Sequence, residues 1–268
     1  FDETNGSVLH DSSGNEINGA LNGFGSNSNA HWVPGKTGGA LRFDGVDDYV
    51  SFPGATQLDD VRPFSFAGWI KLDQNGSGYV IAKRSLESGY WRYFASGPTQ
   101  NWLIRKTTGT SPNLATTEVT PYFQWQHVAL TWTGFLGGQN SKIYLDGALV
   151  TNVTRNSGSG ELTSDVGNLF TIGNRPQNNS SYFKGWMDDF RIWNRILLPH
   201  EVSTLHQGPS FPLTDANFTQ AIDLWFSDQA TATATYGHIR DWNVSGVTNM
   251  QEAFKDKASF NEDISGWD

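Results

Sequence analysis

No cysteine occurs in the 268 residues, so disulfide staples and thiolate metal sites are excluded. No apolar run approaches the ~18 residues that a membrane-spanning helix needs, so no membrane insertion is expected. Positive charge is scarce. Lys and Arg number 18 against 27 Asp and Glu, a net charge of -9. That balance argues against a nucleic-acid partner, because phosphate recognition needs a basic patch, and suits divalent cations or neutral sugars. No signal peptide is read in these residues, and the abrupt start at Phe1-Asp2-Glu3 is expected of a segment of a longer precursor.

Catalytic signatures are missing too. There is no Gly-x-Ser-x-Gly elbow, no Gly-x-Gly-x-x-Gly loop and no His-Glu-x-x-His. Hydrolysis of glycosides on a sheet needs paired carboxylates a few residues apart, as in Glu-x-Asp-x-Glu, and the eight glutamates never make that spacing. Glu161 with Asp165 comes nearest, in a Gly/Ser-rich turn. The six histidines lack metal-ligand spacing, and His127 inside a strand pattern reads as a structural histidine. The chain is therefore read as no enzyme.

What is present is glycine, 29 residues, and aromatics, 13%. Large flat side chains between dense turn signals suit many short strands. Phe64 to Ile70 and Gln126 to Trp132 alternate with period two and carry apolar groups on both faces. Ser141 to Leu145, Asp146-Gly147 and Ala148 to Val150 form a hairpin pattern, because Asp-Gly accepts the positive φ of a type I′ turn. Leu169 to Ile172 and Trp186 to Trp193 add strands. About a dozen in all, with no long helix among them, predict an all-β sandwich of two antiparallel sheets over residues 1–207. Pro199 to Gln207 reads as a short helix. Gly208-Pro209-Ser210-Phe211-Pro212 reads as a linker.

Residues 213–268 follow another pattern. Phe218, Ala221, Ile222, Trp225 and Phe226 mark one face of a helix, capped by Thr214 or Asp215. Thr248-Asn249-Met250-Gln251, followed by Ala253, Phe254 and Ala258, predicts a second. Ile239-Arg240-Asp241-Trp242 recurs as Ile264-Ser265-Gly266-Trp267, 25 residues later, a spacing of leucine-rich-type solenoids. A small α/β repeat segment is expected, continuing in the natural protein past Asp268.

Three runs carry a family likeness: Trp32 to Val50, with Phe43-Asp44-Gly45-Val46-Asp47-Asp48-Tyr49; Trp125-Gln126-His127-Val128-Ala129 with Tyr144-Leu145-Asp146-Gly147; and Gly185 to Arg195, with Trp186-Met187-Asp188-Asp189-Phe190. Together they resemble the laminin-G-like, pentraxin-related branch of concanavalin A-type jelly rolls. Thr235-Tyr236-Gly237-His238-Ile239, Trp242-Asn243-Val244-Ser245, Val247-Thr248-Asn249-Met250 and Phe260 to Trp267 resemble BspA-like surface repeats. The two resemblances imply an extracellular or cell-surface protein concerned with adhesion or polysaccharide binding.

Calcium is the cofactor these features suggest. Asp11 and Asn15, Asp44 and Gly45, and Asp188 and Asp189 lie in oxygen-rich turns or at the closing strand, and a hard cation wants six to eight oxygens. The jelly-roll resemblance implies a calcium tying the N-terminal segment and an early turn to the last strand, between Asp44 and Asp188. For a glycan, flat aromatics beside planar hydrogen-bonding groups are needed. Tyr90, Trp91, Trp102, Arg105, Arg175, Asn178, Asn179 and Tyr182 combine both, and the loop from Arg175 to Tyr182 is the leading candidate. The expected partner is a polysaccharide or cell-surface glycan, with a protein partner, a structural spacer and a polysaccharide-degrading enzyme as alternatives.

Overall fold

A computed structural model describes the chain apart from residues 2, 4, 26–27, 85–89, 98, 106–110, 136–139, 157, 160–161, 176–180, 208–212, 238, 259, 263, 266 and 268. Its strands are Val8–Leu9 (β1), Gly19–Asn22 (β2), Trp32–Pro34 (β3), Gly39–Asp44 (β4), Tyr49–Phe52 (β5), Phe64–Leu72 (β6), Gly78–Arg84 (β7) and Tyr90–Ser96 (β8). They continue as Thr99–Arg105 (β9), Asn113–Thr116 (β10), Trp125–Trp132 (β11), Ser141–Leu145 (β12), Ala148–Leu149 (β13), Val153–Asn156 (β14), Leu169–Ile172 (β15) and Lys184–Trp193 (β16). One sheet has the order β1-β2-β5-β15-β7-β8-β9-β10-β14, the other β13-β12-β11-β6-β16-β4-β3, and their ladders are antiparallel. The two-sheet antiparallel sandwich is as the sequence predicts. The expected dozen strands fell short because β1 and β13 are only two residues long.

The period-two patterns explain the core. Phe64, Phe66, Ile70 and Leu72 of β6 and Val128, Leu130 and Trp132 of β11 are buried in it. Trp91 and Tyr93 of β8 and Trp102 of β9 join them from the other sheet. Phe64 meets the rings of Trp91, Trp102 and Trp132 at centroid distances of 4.9, 5.6 and 5.6 Å. Each such buried ring contributes about 1.5–3 kcal/mol. Alternate residues of β6, among them Trp69 and Lys71, lie on the opposite face.

In β16 the alternation breaks. The register shifts between Asp188 and Arg191, and Asp189 takes a φ of 52°. This bulge lets Trp186 pair with Lys71 on the outer face while Ile192 pairs with core Phe66, and Phe190 packs against the core. Asp188 therefore does not share a face with Phe190 and Ile192.

The molecule divides into two compact units: residues 1–145 with 149–196, and 146–148 with 197–268. The division falls after Ile196, so helix α1, Pro199–Gln207, groups with the second unit. That unit contains α2, Phe218–Ser227, and an unforeseen α3, Gln229–Tyr236. Asp228 caps α3 by accepting hydrogen bonds from the Thr231 amide and hydroxyl. The helix expected after Thr248 is instead a run of turns with positive φ at Glu252 and Asp256. The cap expected at Asp215 is redirected, since its carboxylate accepts from Thr248 and Asn249. No strand forms among the described residues of 213–268; an isolated parallel bridge joins Thr214 and Gly246.

Candidate functional site

Among the described residues, the turn between β4 and β5 gathers three carboxylates close enough to share one ion. Leu41 and Phe43 of β4 are drawn into the core, and Asp44-Gly45-Val46-Asp47-Asp48 must then reverse the chain. Gly45 has a φ of 82°, and Gly23, with φ 87°, sits so close to the Asp47 carbonyl that a Cβ would collide with it. Asp44 Oδ1 accepts hydrogen bonds from the amides of Val46 and Asp47 (2.7 and 3.4 Å). The Asp44 amide donates to Asp48 Oδ2 at 2.8 Å. One carboxylate oxygen from each of Asp44, Asp47 and Asp48 lies within 4.8 Å of the others.

Asp48 is fully buried and its Oδ1 has no hydrogen-bond partner. Burial, reinforced by the charges of Asp44 and Asp47, pushes its carboxyl up to about 6, against the Asp44 amide and His31, whose Nδ1 is 3.8 Å away. An unpartnered buried carboxylate costs free energy, and a divalent cation would remove that cost, because hard ions bind clustered carboxylate oxygens. Beside this turn the Tyr49 and Tyr182 rings lie 6.4 Å apart. Burial, then the proximity of Tyr49 and Asp47, raises the Tyr182 hydroxyl above its ordinary value. Gly173, which starts the connection toward Arg175, approaches the Asp48 carbonyl.

The anticipated ion between Asp44 and Asp188 does not fit. Asp44 pairs with Lys184, and Asp188 lies four residues farther along β16, about 13 Å at the usual strand rise. Asp188 instead binds the turn after β3, its Oδ2 accepting from the amides of Lys36 and Thr37 (2.8 and 3.1 Å). Asp189 is the bulge residue. Asp11 uses both oxygens on the amides of Ser13 and Ile17. Burial opposes this, but those bonds hold the Asp11 carboxyl below its ordinary range. Asn15 bonds to Ser13 Oγ. Asp11 and Asn15 thus form a self-contained turn. Asp47 and Asp48 stand in the same oxygen-rich turn as Asp44 and Gly45, and their carboxylates join that of Asp44.

The glycan candidates divide. Trp91 and Trp102 are only 7% and 1% exposed. They belong to the aromatic core and offer no platform, since rings that close the gap between two sheets are covered on both faces. Tyr90 and Arg105 are register partners in β8 and β9, and their side chains lie outside the described residues. Asn178 and Asn179 also lie outside them. Arg175 is half-buried with its Nε unbonded, and Tyr182 is half-buried. Asp165 is no catalytic acid partner for Glu161, which is not among the described residues: its carboxylate binds buried Lys83 at 2.7 Å and accepts from Trp91 Nε1 at 3.0 Å. His127 is buried, edge-on to Trp69 at 5.3 Å.

Residues 44–203, more than half of the chain, match the family model described as the Concanavalin A-like lectin/glucanases superfamily. The chain belongs to this superfamily. Residues 215–268 match the model described as Mycoplasma protein of unknown function, DUF285. Among solved structures, the chain is similar to a Trypanosoma rangeli sialidase in complex with sialic acid: 16% identity, 76% of this chain against 31% of that one, TM-score 0.53. It is similar also to the binding domain of Paraclostridial Mosquitocidal Protein 1: 16% identity, 74% of this chain against 49% of that one, TM-score 0.55. The match thus spans about a third of the sialidase and half of the toxin domain, and at this identity it speaks for a shared concanavalin A-like fold.

Proposed function

We propose that the chain is a glycan-binding or adhesion module of a secreted or cell-surface protein, stabilised by calcium, and not an enzyme. The carrying observation is Asp48: a fully buried carboxylate with one oxygen unpartnered, inside a three-carboxylate cluster beside the Tyr49–Tyr182 pair. In this reading calcium is held by Asp44, Asp47 and Asp48, and Tyr182 with Arg175 forms the adjoining sugar contact. Tyrosine supplies a stacking face and Arg a planar donor, the combination that a neutral glycan requires. The superfamily is named for lectins and glucanases alike. The tie between Asp165 and Lys83 supports the binding side, since it leaves that carboxylate no role as an acid.

The test is a neutral-glycan array probed with and without a calcium chelator. Chelation and Asp48→Asn should each abolish binding, and Tyr182→Ala should weaken it about tenfold, or ~1.4 kcal/mol. Absence of binding under every condition would sink the glycan reading and leave a spacer.

A further inference from the structure

The pairing registers place Trp125, Lys71, Trp186 and Arg42 in a single row across β11, β6, β16 and β4. The row lies on the outer face of the seven-stranded sheet, since its β6 member alternates with core Ile70 and Leu72. Trp125, Lys71 and Trp186 are half-buried and Arg42 is exposed. Aromatic and cation alternate along it. Lys71 Nζ lies 4.9 Å from the Trp125 ring centre and 4.4 Å from that of Trp186, and the Arg42 guanidinium lies 5.7 Å from Trp186.

Neither cation has a carboxylate partner among the described residues, although the chain carries a net charge of -9. Asp44, the next outward residue beyond Arg42, turns its carboxylate onto the amides of its own turn. Two unpaired cations held by indole faces are an anion-binding arrangement. Cation–π contact fixes the ammonium in place, so less side-chain freedom is lost on binding. Partial removal from water strengthens its pairing with a carboxylate. The guanidinium offers the planar fork that a carboxylate matches.

Spacing selects the kind of anion. Lys71 and Arg42 stand two strands apart, about 10 Å at the usual strand separation, with the Trp186 indole between them. Both charged groups lie against the same indole, at 4.4 and 5.7 Å from its centre. An extended polyuronate can bring one carboxylate to each cation, with the C–H surface of the intervening sugar against Trp186.

We propose that this row binds a uronate-bearing polysaccharide. It needs no metal, so the experiment is run in EDTA, where the calcium-dependent reading above predicts no binding; failure of one therefore leaves the other standing. The probe is polygalacturonate in affinity electrophoresis at low ionic strength. Wild-type protein should be retarded. Lys71→Met and Arg42→Gln should each raise the apparent Kd at least tenfold, and the double variant should run as if no polymer were present. Arg42→Gln, at an exposed position, keeps the test free of folding effects. Unretarded wild-type protein overturns the proposal, as does equal retardation of the variants. Equal retardation by dextran sulfate also overturns it, since charge alone would then explain the binding.

Discussion

Two buried carboxylates, Asp48 and Asp188, are both pushed up to about 6, chiefly by burial, yet their surroundings differ. Asp48 meets two other carboxylates. Asp188 faces the Lys36 and Thr37 amides, with its Oδ1 unpartnered and Asp189 beside it. The folded value of Asp188 lies above its ordinary 3.8, so the native state binds the extra proton. The associated stability is present in full below pH ~4 and is lost as pH rises through about 6. In EDTA, the wild-type melting temperature should therefore fall between pH 4 and 6.5. Asp188→Asn, which keeps a carbonyl oxygen for the two amides, should flatten that slope. Asp188→Leu strands both amide donors and should cost about 2–4 kcal/mol at every pH. Urea titrations across this range check it, and an unchanged slope in the Asn variant would refute the assignment.

At the scale of the element, β7 carries an unexpected constraint. Lys83 is fully buried, and its ammonium donates to the Leu58 carbonyl, Asp59 and Asp165 at 2.7, 2.6 and 2.7 Å. Asp165 in turn accepts from the Asp60 amide and from Trp91. One lysine thus ties the segments around Asp59 and Asp165 to the middle of a sheet. Lys83→Met removes the cation and leaves two carboxylates facing each other, a loss of about 3–5 kcal/mol for breaking one side of a buried pair. Urea unfolding at pH 7 should show it, and a loss under 1 kcal/mol would mean that the network is solvated. Nothing in the sequence marked this site, because Lys83 and Asp165 are 82 residues apart and each looks like an ordinary surface charge. The strands themselves were legible, since alternation fixes which side chains of β6 and β11 enter the core. The bulge at Asp189 was not, because aspartate takes the left-handed region at few of its positions and nothing beside Asp189 singles it out. The bulge moved Phe190 and Ile192 to the core face and left Asp188 on the outer face with Trp186. The tryptophans failed for a related reason: in β8 and β9 composition could not tell a core ring from a platform, whereas Trp125 and Trp186 in fact lie on the outer face.

Across the whole molecule, two cores coexist. Phe64, Trp91, Trp102 and Trp132 anchor the sandwich, while Phe218, Ile222, Trp225 and Trp242 anchor the smaller unit. The repeat read in the sequence has a physical counterpart there. Trp242 and Trp267, its equivalent positions, stack in parallel at 6.1 Å, and Trp267 Nε1 donates to the Ile239 carbonyl of the preceding copy at 2.8 Å. A repeat that buries its tryptophan against its neighbour is a unit of stability in its own right. Trp225 is 5% exposed and meets Trp242 edge-on at 6.0 Å, so Trp225→Ala should cost about 3–5 kcal/mol, a large fraction of what so small a core supplies. Trp102→Ala should cost a similar amount in the sandwich. Calorimetry of both variants distinguishes the cores: Trp225→Ala should lower the transition of the smaller unit and leave the sandwich transition in place, and Trp102→Ala should do the reverse. If either substitution moved every transition together, the two cores would be one cooperative block, and the separate treatment of the repeat unit would have to be abandoned.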